Sequence, residues 1–339
     1  VWGQRTTIYL FSILRYNMKK FTIKLLYFSL PILIIAYPLD FVMSYYLSQS
    51  NTSPGEFEVW NDIYSSSTNC DIAIYGSSRS WVHIDPQILS DSLNIKVYNF
   101  GIDGHNFWLQ YLRHIEFLKN NEKPKTIILS VDVFSLQKRK DLYELDQFLP
   151  YMLWNSNIQE YTSSYIGYSK FDYYLPLVRY SGKSNAISLI KENIARDKKS
   201  IRYRRNGFLG MDREWNADLD KAKSKKKSYE ITTDPSSILL FESFIENCKT
   251  NNIELILVYT PEFIDGQEFI SNRDDLLNIY KKFASKHSLK FYDYSNDSIC
   301  SNKEYFYNAS HLNKKGAEIF SKDFANKLKV RTHNNVYKK

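Results

Sequence analysis

Cysteine is scarce in this 339-residue chain: Cys70, Cys248 and Cys300 stand far apart, with no paired spacing. That argues against a disulfide-built scaffold and against a cysteine metal knuckle. No His/Asp cluster with ligand spacing is visible either, so a metal phosphoesterase finds no support, and the reading calls for no cofactor. Acidic residues are missing from the first 24 positions, which carry Arg5, Arg15, Lys19, Lys20 and Lys24. A second basic stretch runs from Lys191 to Lys227, and the rest of the chain is net negative although the total is +8. Charge so divided does not describe a protein that coats nucleic acid. With 43% hydrophobic and 24% charged residues, wholesale disorder is excluded as well. Length allows one large domain or two small ones.

The longest apolar run is LLYFSLPILIIAYPLDFVMSYYL, residues 25–47, with Asp40 as its single charge. Twenty-three residues at about 1.5 Å each can span a bilayer of roughly 30 Å. The run is long for a signal-peptide core, and no small-residue cleavage site follows it. Bases crowd its N-terminal side, so residues 1–24 are expected in the cytoplasm and everything past about residue 50 outside. This predicts a single-pass protein of the inner membrane with a periplasmic or extracytoplasmic domain. Pro31, Pro38 and Asp40 run against a plain lipid-facing helix. Met18 followed by two lysines resembles a start codon, which would leave residues 1–17 upstream of it. Residues 48–70 are expected as a polar linker.

Beyond the linker, strands and helices alternate. Strands are predicted at 71–76, 95–100, 125–134, 253–261 and 289–295. Helices are predicted at 85–93, 106–120, 235–249, 273–287 and 313–329. Such alternation predicts a three-layer α/β fold with a parallel five-stranded sheet. The stretch 135–233 interrupts the rhythm as a long insertion within a domain spanning 71–330, and 331–339 is a tail. Rich in Tyr, Trp and bases, it is expected to be a lid, a glycan- or anion-facing surface, or a solvated cationic face near phospholipid head groups.

Ligands of such sheets sit beyond the C-terminal strand ends, where Gly76, Gly101–Gly104, Asp132 and Thr260 fall. DIAIYGSSRS (71–80) therefore raises the possibility of a nucleophile carried off the first strand by Ser77 or Ser78. Acyl transfer needs a nucleophile, a base about 3 Å away and donors aimed at the developing oxyanion. Ser78 N–H and Gly104 N–H are candidates for those donors, the glycine because backbone can approach closely there. Among the histidines, His311 lies just before the last helix. His83 and His105 are candidates for substrate contact, and His114, His287 and His333 are expected on helix or tail surfaces.

Four blocks together, Gly76-Ser77-Ser78, Asn99 to Gly104, Ser130-Val131-Asp132 and Asn308-Ala309-Ser310-His311, resemble those of SGNH/GDSL-type hydrolases. The likeness is greatest to membrane-anchored, envelope-modifying O-acyltransferases and esterases of the DltD kind; it covers 71–133 and 235–329. It implies a flavodoxin-like fold, Ser78 as nucleophile and His311 as base. It further implies that Asn308 stands where the family has the orienting aspartate, and Asp132 where it has an amide donor. Arg79 is expected to pair with Asp132 and shape the site. The implied function is a serine acyl esterase or O-acyltransferase acting on cell-envelope polysaccharide. Its substrate would be an acylated glycan or acyl donor, and a membrane acyltransferase is a candidate partner. The alternative is a weak or inactive relative that binds glycan or partners such an acyltransferase.

Overall fold

The computed structural model describes residues 2–104, 106–196 and 201–336. In chain order, the long helix α1 (Trp2–Ser48) is followed by α2 (Glu56–Tyr64), strand β1 (Ile72–Gly76), α3 (Ser78–His83) and α4 (Pro86–Leu93). Next come β2 (Val97–Asn99), α5 (Phe107–Asn120) and β3 (Thr126–Val131). Three helices, α6 (Ser156–Thr162), α7 (Ser184–Ala195) and α8 (Asp218–Lys225), lie in the stretch after β3. The alternation then resumes with α9 (Pro235–Thr250), β4 (Glu254–Tyr259), α10 (Ile264–Phe269), α11 (Arg273–Lys286) and β5 (Lys290–Asp293). A small antiparallel hairpin, β6 (Phe306–Asn308) and β7 (His311–Leu312), leads into α12 (Lys314–Val336).

The five parallel strands are ordered β2-β1-β3-β4-β5, which is the flavodoxin-like doubly wound topology. Alternation along each strand builds two cores. Ala73, Tyr75, Ile127, Leu129, Leu255 and Leu257 face a layer made by α2, α5, α9 and α11. Ile72, Ile74, Ile128, Ile256 and Val258 face the other, where Phe320, Phe324 and Leu328 of α12 pack. Both faces are covered, which is why β3 reads as an unbroken apolar run. Each fully buried Ile or Leu contributes about 1.5–3 kcal/mol.

Within α1, the stretch Tyr16–Ser48 is long and apolar enough to cross a membrane. Its middle is bare, with Phe28 75% and Ile35 69% exposed, while its C-terminal end is docked on the domain. Asp40, a carboxylate at odds with a lipid-facing helix, is buried: Oδ1 accepts from Arg179 Nη2 at 2.6 Å and Oδ2 from the Leu177 N–H at 2.7 Å. Four residues on, Ser44 Oγ accepts from the same guanidinium at 2.9 Å and lies 2.8 Å from the Tyr180 hydroxyl.

Two expectations change here. Residues 48–70 are not a bare linker, because they hold α2, whose Phe57, Val59, Trp60 and Ile63 join the larger core. The stretch 135–233 is in large part neither lid nor free cationic face: Leu142, Phe148, Met152, Ile158, Tyr165 and Tyr180 complete that same core. Of its basic run, Arg204 is buried against Glu56 at 2.6 Å, and Arg202 pairs with Asp62 at 2.5 Å. Arg204 is thus satisfied internally and offers nothing to an anion, whereas Arg202 and the Lys223–Lys227 run stay exposed.

Candidate active site

The turn after β1 is set by Gly76. Its φ of +150° disfavours side chains, and a Cβ there would lie 2.7 Å from Ser80 Cβ and 2.8 Å from Ser130 O. Glycine lets the strand turn directly into α3, with Ser77 as its N-cap and Ser78 as its first residue. A residue at that position has an N–H with no intrahelical acceptor. Asn99, at the end of β2, clamps the turn: Nδ2 donates to Ser80 O and Ile84 O, both at 2.9 Å, and Oδ1 accepts from Gly101 N–H at 2.9 Å.

His311 arrives from the far end of the chain on β7. Asn308 and His311 face each other across the hairpin, and the Asn308 Oδ1 accepts both from Ser310 N–H and from His311 Nδ1, each at 3.0 Å. The backbone donor fixes which end of the amide is oxygen, so Nδ1 carries the proton and Nε2 is left as an acceptor. Ser78 Oγ lies 2.8 Å from that Nε2. Tyr307 stacks on the imidazole with centroids 5.3 Å apart and planes 13° apart. Burial, reinforced by the positive charge of Arg79, pushes the His311 pKa down to about 3, so the ring is neutral and able to take a proton at physiological pH.

Between the two candidate serines the geometry distinguishes clearly. Ser77 Oγ donates to Asp132 Oδ2 at 2.6 Å, while Ser78 faces the imidazole. Asp132 is buried, and its other oxygen accepts from Phe134 N–H at 2.8 Å. The expected Asp132–Arg79 pair does not form. Arg79 turns the other way: Nη1 meets Glu262 Oε2 at 3.4 Å, Nη2 donates to Thr260 O at 2.5 Å, and the guanidinium lies over the Tyr259 ring at 4.6 Å. The carboxylate that sequence reasoning missed is therefore Glu262, which also accepts from the Tyr259 hydroxyl. Its only sequence signal was its place two residues beyond Thr260 at the end of β4.

A cavity of about 270 Å³ brings Ser77, Ser78, Gly104, Asn106, Asp132 and His311 together, with Arg79, Phe134, Arg139 and Ser310 also on its wall. Gly104 has a φ of +64°, and a Cβ there would sit 2.4 Å from the Tyr143 ring, so this turn of backbone beside the cavity admits only glycine without rearrangement. Asn106 was not singled out by the sequence.

The remaining histidines differ from expectation. His83 is fully buried and not open to substrate: Nε2 accepts from Leu312 N–H at 3.0 Å and Nδ1 donates to Thr260 Oγ1 at 2.9 Å. It thus anchors β7 beside His311, and burial together with Arg79 holds its pKa well below the usual imidazole value. His114 is a core residue, not a surface one, with Nε2 3.0 Å from Asn247 Oδ1 and a pKa pushed down to about 4 by burial. His287 is half-buried near Glu242 and Glu246. His105 and the side chain of His333 lie outside the described residues.

No family model matches the chain, and no curated protein matches it. Among solved structures it is similar to the acetyl xylan esterase AlAXEase, with 14% identity and a TM-score of 0.37 over 77% of this chain and 98% of that one. It is also similar to a GDSL-like lipase from Bacteroides thetaiotaomicron, with 11% identity and a TM-score of 0.36 over 80% of this chain and 98% of that one. Similarity at this level concerns the fold and carries neither family nor activity over to this chain.

Proposed function

We propose that this protein is a serine-dependent acyl esterase or O-acyltransferase, tethered to the membrane by α1, with its α/β domain on the extracytoplasmic side and cell-envelope polysaccharide as its substrate class. The observation that carries the reading is the line Ser78 Oγ, His311 Nε2, His311 Nδ1, Asn308 Oδ1, with contacts of 2.8 and 3.0 Å, at the wall of one cavity. In the first step Ser78 Oγ attacks the ester carbonyl, its proton passes to His311 Nε2, and the carbonyl electrons move to oxygen. Collapse expels the alcohol, which takes the proton from the imidazolium and leaves an acyl-Ser78. Water or a glycan hydroxyl then loses a proton to His311 and takes the acyl group, regenerating the serine. Asn308 orients the ring as a carboxylate would, though an amide stabilises the imidazolium less.

The close Ser78–His311 contact favours this enzyme reading over a non-catalytic glycan-binding one, which needs no such contact. A cavity of about 270 Å³ suits a short acyl group. Envelope placement is supported by the N-terminal bases together with an apolar stretch long enough to span a bilayer. A membrane acyltransferase as partner belongs to the same proposal.

The test is hydrolysis and transfer of p-nitrophenyl acetate by the full chain in detergent micelles, with a glycan acceptor present or absent. Ser78→Ala should lower the rate at least about 10³-fold while the protein stays folded. Unchanged rates would remove the serine-acyl reading. Separately, the chain should sediment with membranes after a carbonate wash, and release into the soluble fraction would remove the tether.

A further inference from the structure

The candidate mechanism creates a negative oxygen, and the strand end that resembles a family donor position holds a carboxylate instead. Both oxygens of Asp132 accept hydrogen bonds, from Ser77 Oγ–H and from Phe134 N–H. With both oxygens accepting, this carboxyl group has no hydrogen aimed at an oxyanion. Besides the backbone N–H groups of Ser78 and Gly104, any side-chain donor must therefore come from elsewhere on the cavity wall.

Asn106 is the residue placed to give one. It lines the cavity that holds Ser78, Gly104 and His311. The residue is 6% exposed, and neither Nδ2 nor Oδ1 has a hydrogen-bond partner. A buried amide left unpaired is costly, so such an arrangement calls for an explanation. The place of Asn106 in the chain sharpens the point. It is the N-cap of α5, where an asparagine side chain ordinarily accepts from the N–H two or three residues on and stabilises the helix. Here no such cap bond forms. The amide forgoes the contact its own helix offers and stands unpaired at the wall of the cavity.

We infer that Asn106 Nδ2 is an oxyanion donor of this site, binding the oxygen that develops when Ser78 attacks and taking the part that Asp132 cannot. This rests on the serine-acyl reading. The resting protein bears the cost of the unpaired amide and the lost cap, and the partner arrives only with the transition state, which is where a donor raises kcat and not merely affinity.

A donor role for Asn106 and a merely structural one separate by substitution. Aspartate caps helices as well as asparagine does, but it carries no N–H. With p-nitrophenyl acetate and the full chain in detergent, Asn106→Ala and Asn106→Asp should both lower kcat by about 10²–10³-fold with KM little changed. Both variants should keep the wild-type melting profile to within a few degrees and should still be labelled, more slowly, by a fluorophosphonate. If Asn106→Asp retains wild-type kcat, no N–H is needed at this position and the inference fails, while loss of activity in Ser78→Ala would leave the serine reading standing. If the wild-type chain neither hydrolyses the ester nor takes the label, both fail together. Should a variant unfold, an Asn106→Ser change, which keeps a capping oxygen and a shorter donor, must retain more activity than Asn106→Asp; equal activity overturns the inference.

Discussion

At the scale of single residues, the site turns on which group holds a proton and which accepts one. Neutral His311 is favoured by burial and by Arg79, with a pKa of about 3. A base with that pKa is deprotonated throughout the physiological range, so kcat/KM should stay level as pH falls through 6.5 and drop only near 3–4, as far as the fold survives. A clean acid limb centred near 6.5 would contradict the buried, cation-facing environment. Asn308→Asp keeps an acceptor for His311 Nδ1 and Ser310 N–H but adds a charge. It should stabilise imidazolium, move the acid limb upward and raise kcat, which a pH–rate series on the variant would show. Ser77 provides the internal control: its hydroxyl serves Asp132, so Ser77→Ala should stay within about tenfold of wild type, whereas Ser78→Ala should not.

At the scale of elements, the pairing of long side chains decides what the segments around the sheet contribute. Asp40 compensates Arg179 where α1 meets the domain, and both are almost fully buried. Asp40→Ala would leave the guanidinium uncompensated, and a loss of about 3–5 kcal/mol is expected. Denaturant unfolding in a fixed detergent would measure it, and a change under about 1 kcal/mol would show that the contact matters little. Much at this scale was legible in the sequence. The strand runs were readable because burial on both faces leaves an uninterrupted apolar pattern, and the turn after β1 because a glycine followed by two serines has few other uses. Other features were not legible. α2 was hidden because Glu56, Glu58 and Asp62 look solvated until Arg113, Arg202 and Arg204 come to meet them from far along the chain. The Arg79–Glu262 contact was missed for the same reason, since its partner lies 183 residues away and the resemblance offered Arg79 only Asp132. Asn106 gave no signal because an asparagine before a helix already has an adequate explanation as a cap.

At the scale of the whole molecule, three imidazoles, His83, His114 and His311, are held neutral by burial, each below the ordinary value of 6.5. Below that pH the unfolded chain binds protons that the folded chain refuses. Their contribution to stability is therefore complete above pH 6.5 and is lost progressively as pH falls toward about 4 and below. The melting temperature should decline over that window, and His114→Gln, if it folds, should flatten part of the decline without touching activity. A melting temperature that rises as pH falls from 6.5 to 4.5 would contradict these environments. The central claim is that the whole assembly of sheet, turn and hairpin exists to present Ser78 to His311. It is tested most directly by treating the detergent-solubilised full chain with a fluorophosphonate at pH 7 and locating the adduct by peptide mass spectrometry. The account predicts one adduct, on Ser78, absent in Ser78→Ala and formed at least about 10³-fold more slowly in His311→Ala. No adduct on the folded wild type, or labelling that persists unchanged in Ser78→Ala, would contradict it.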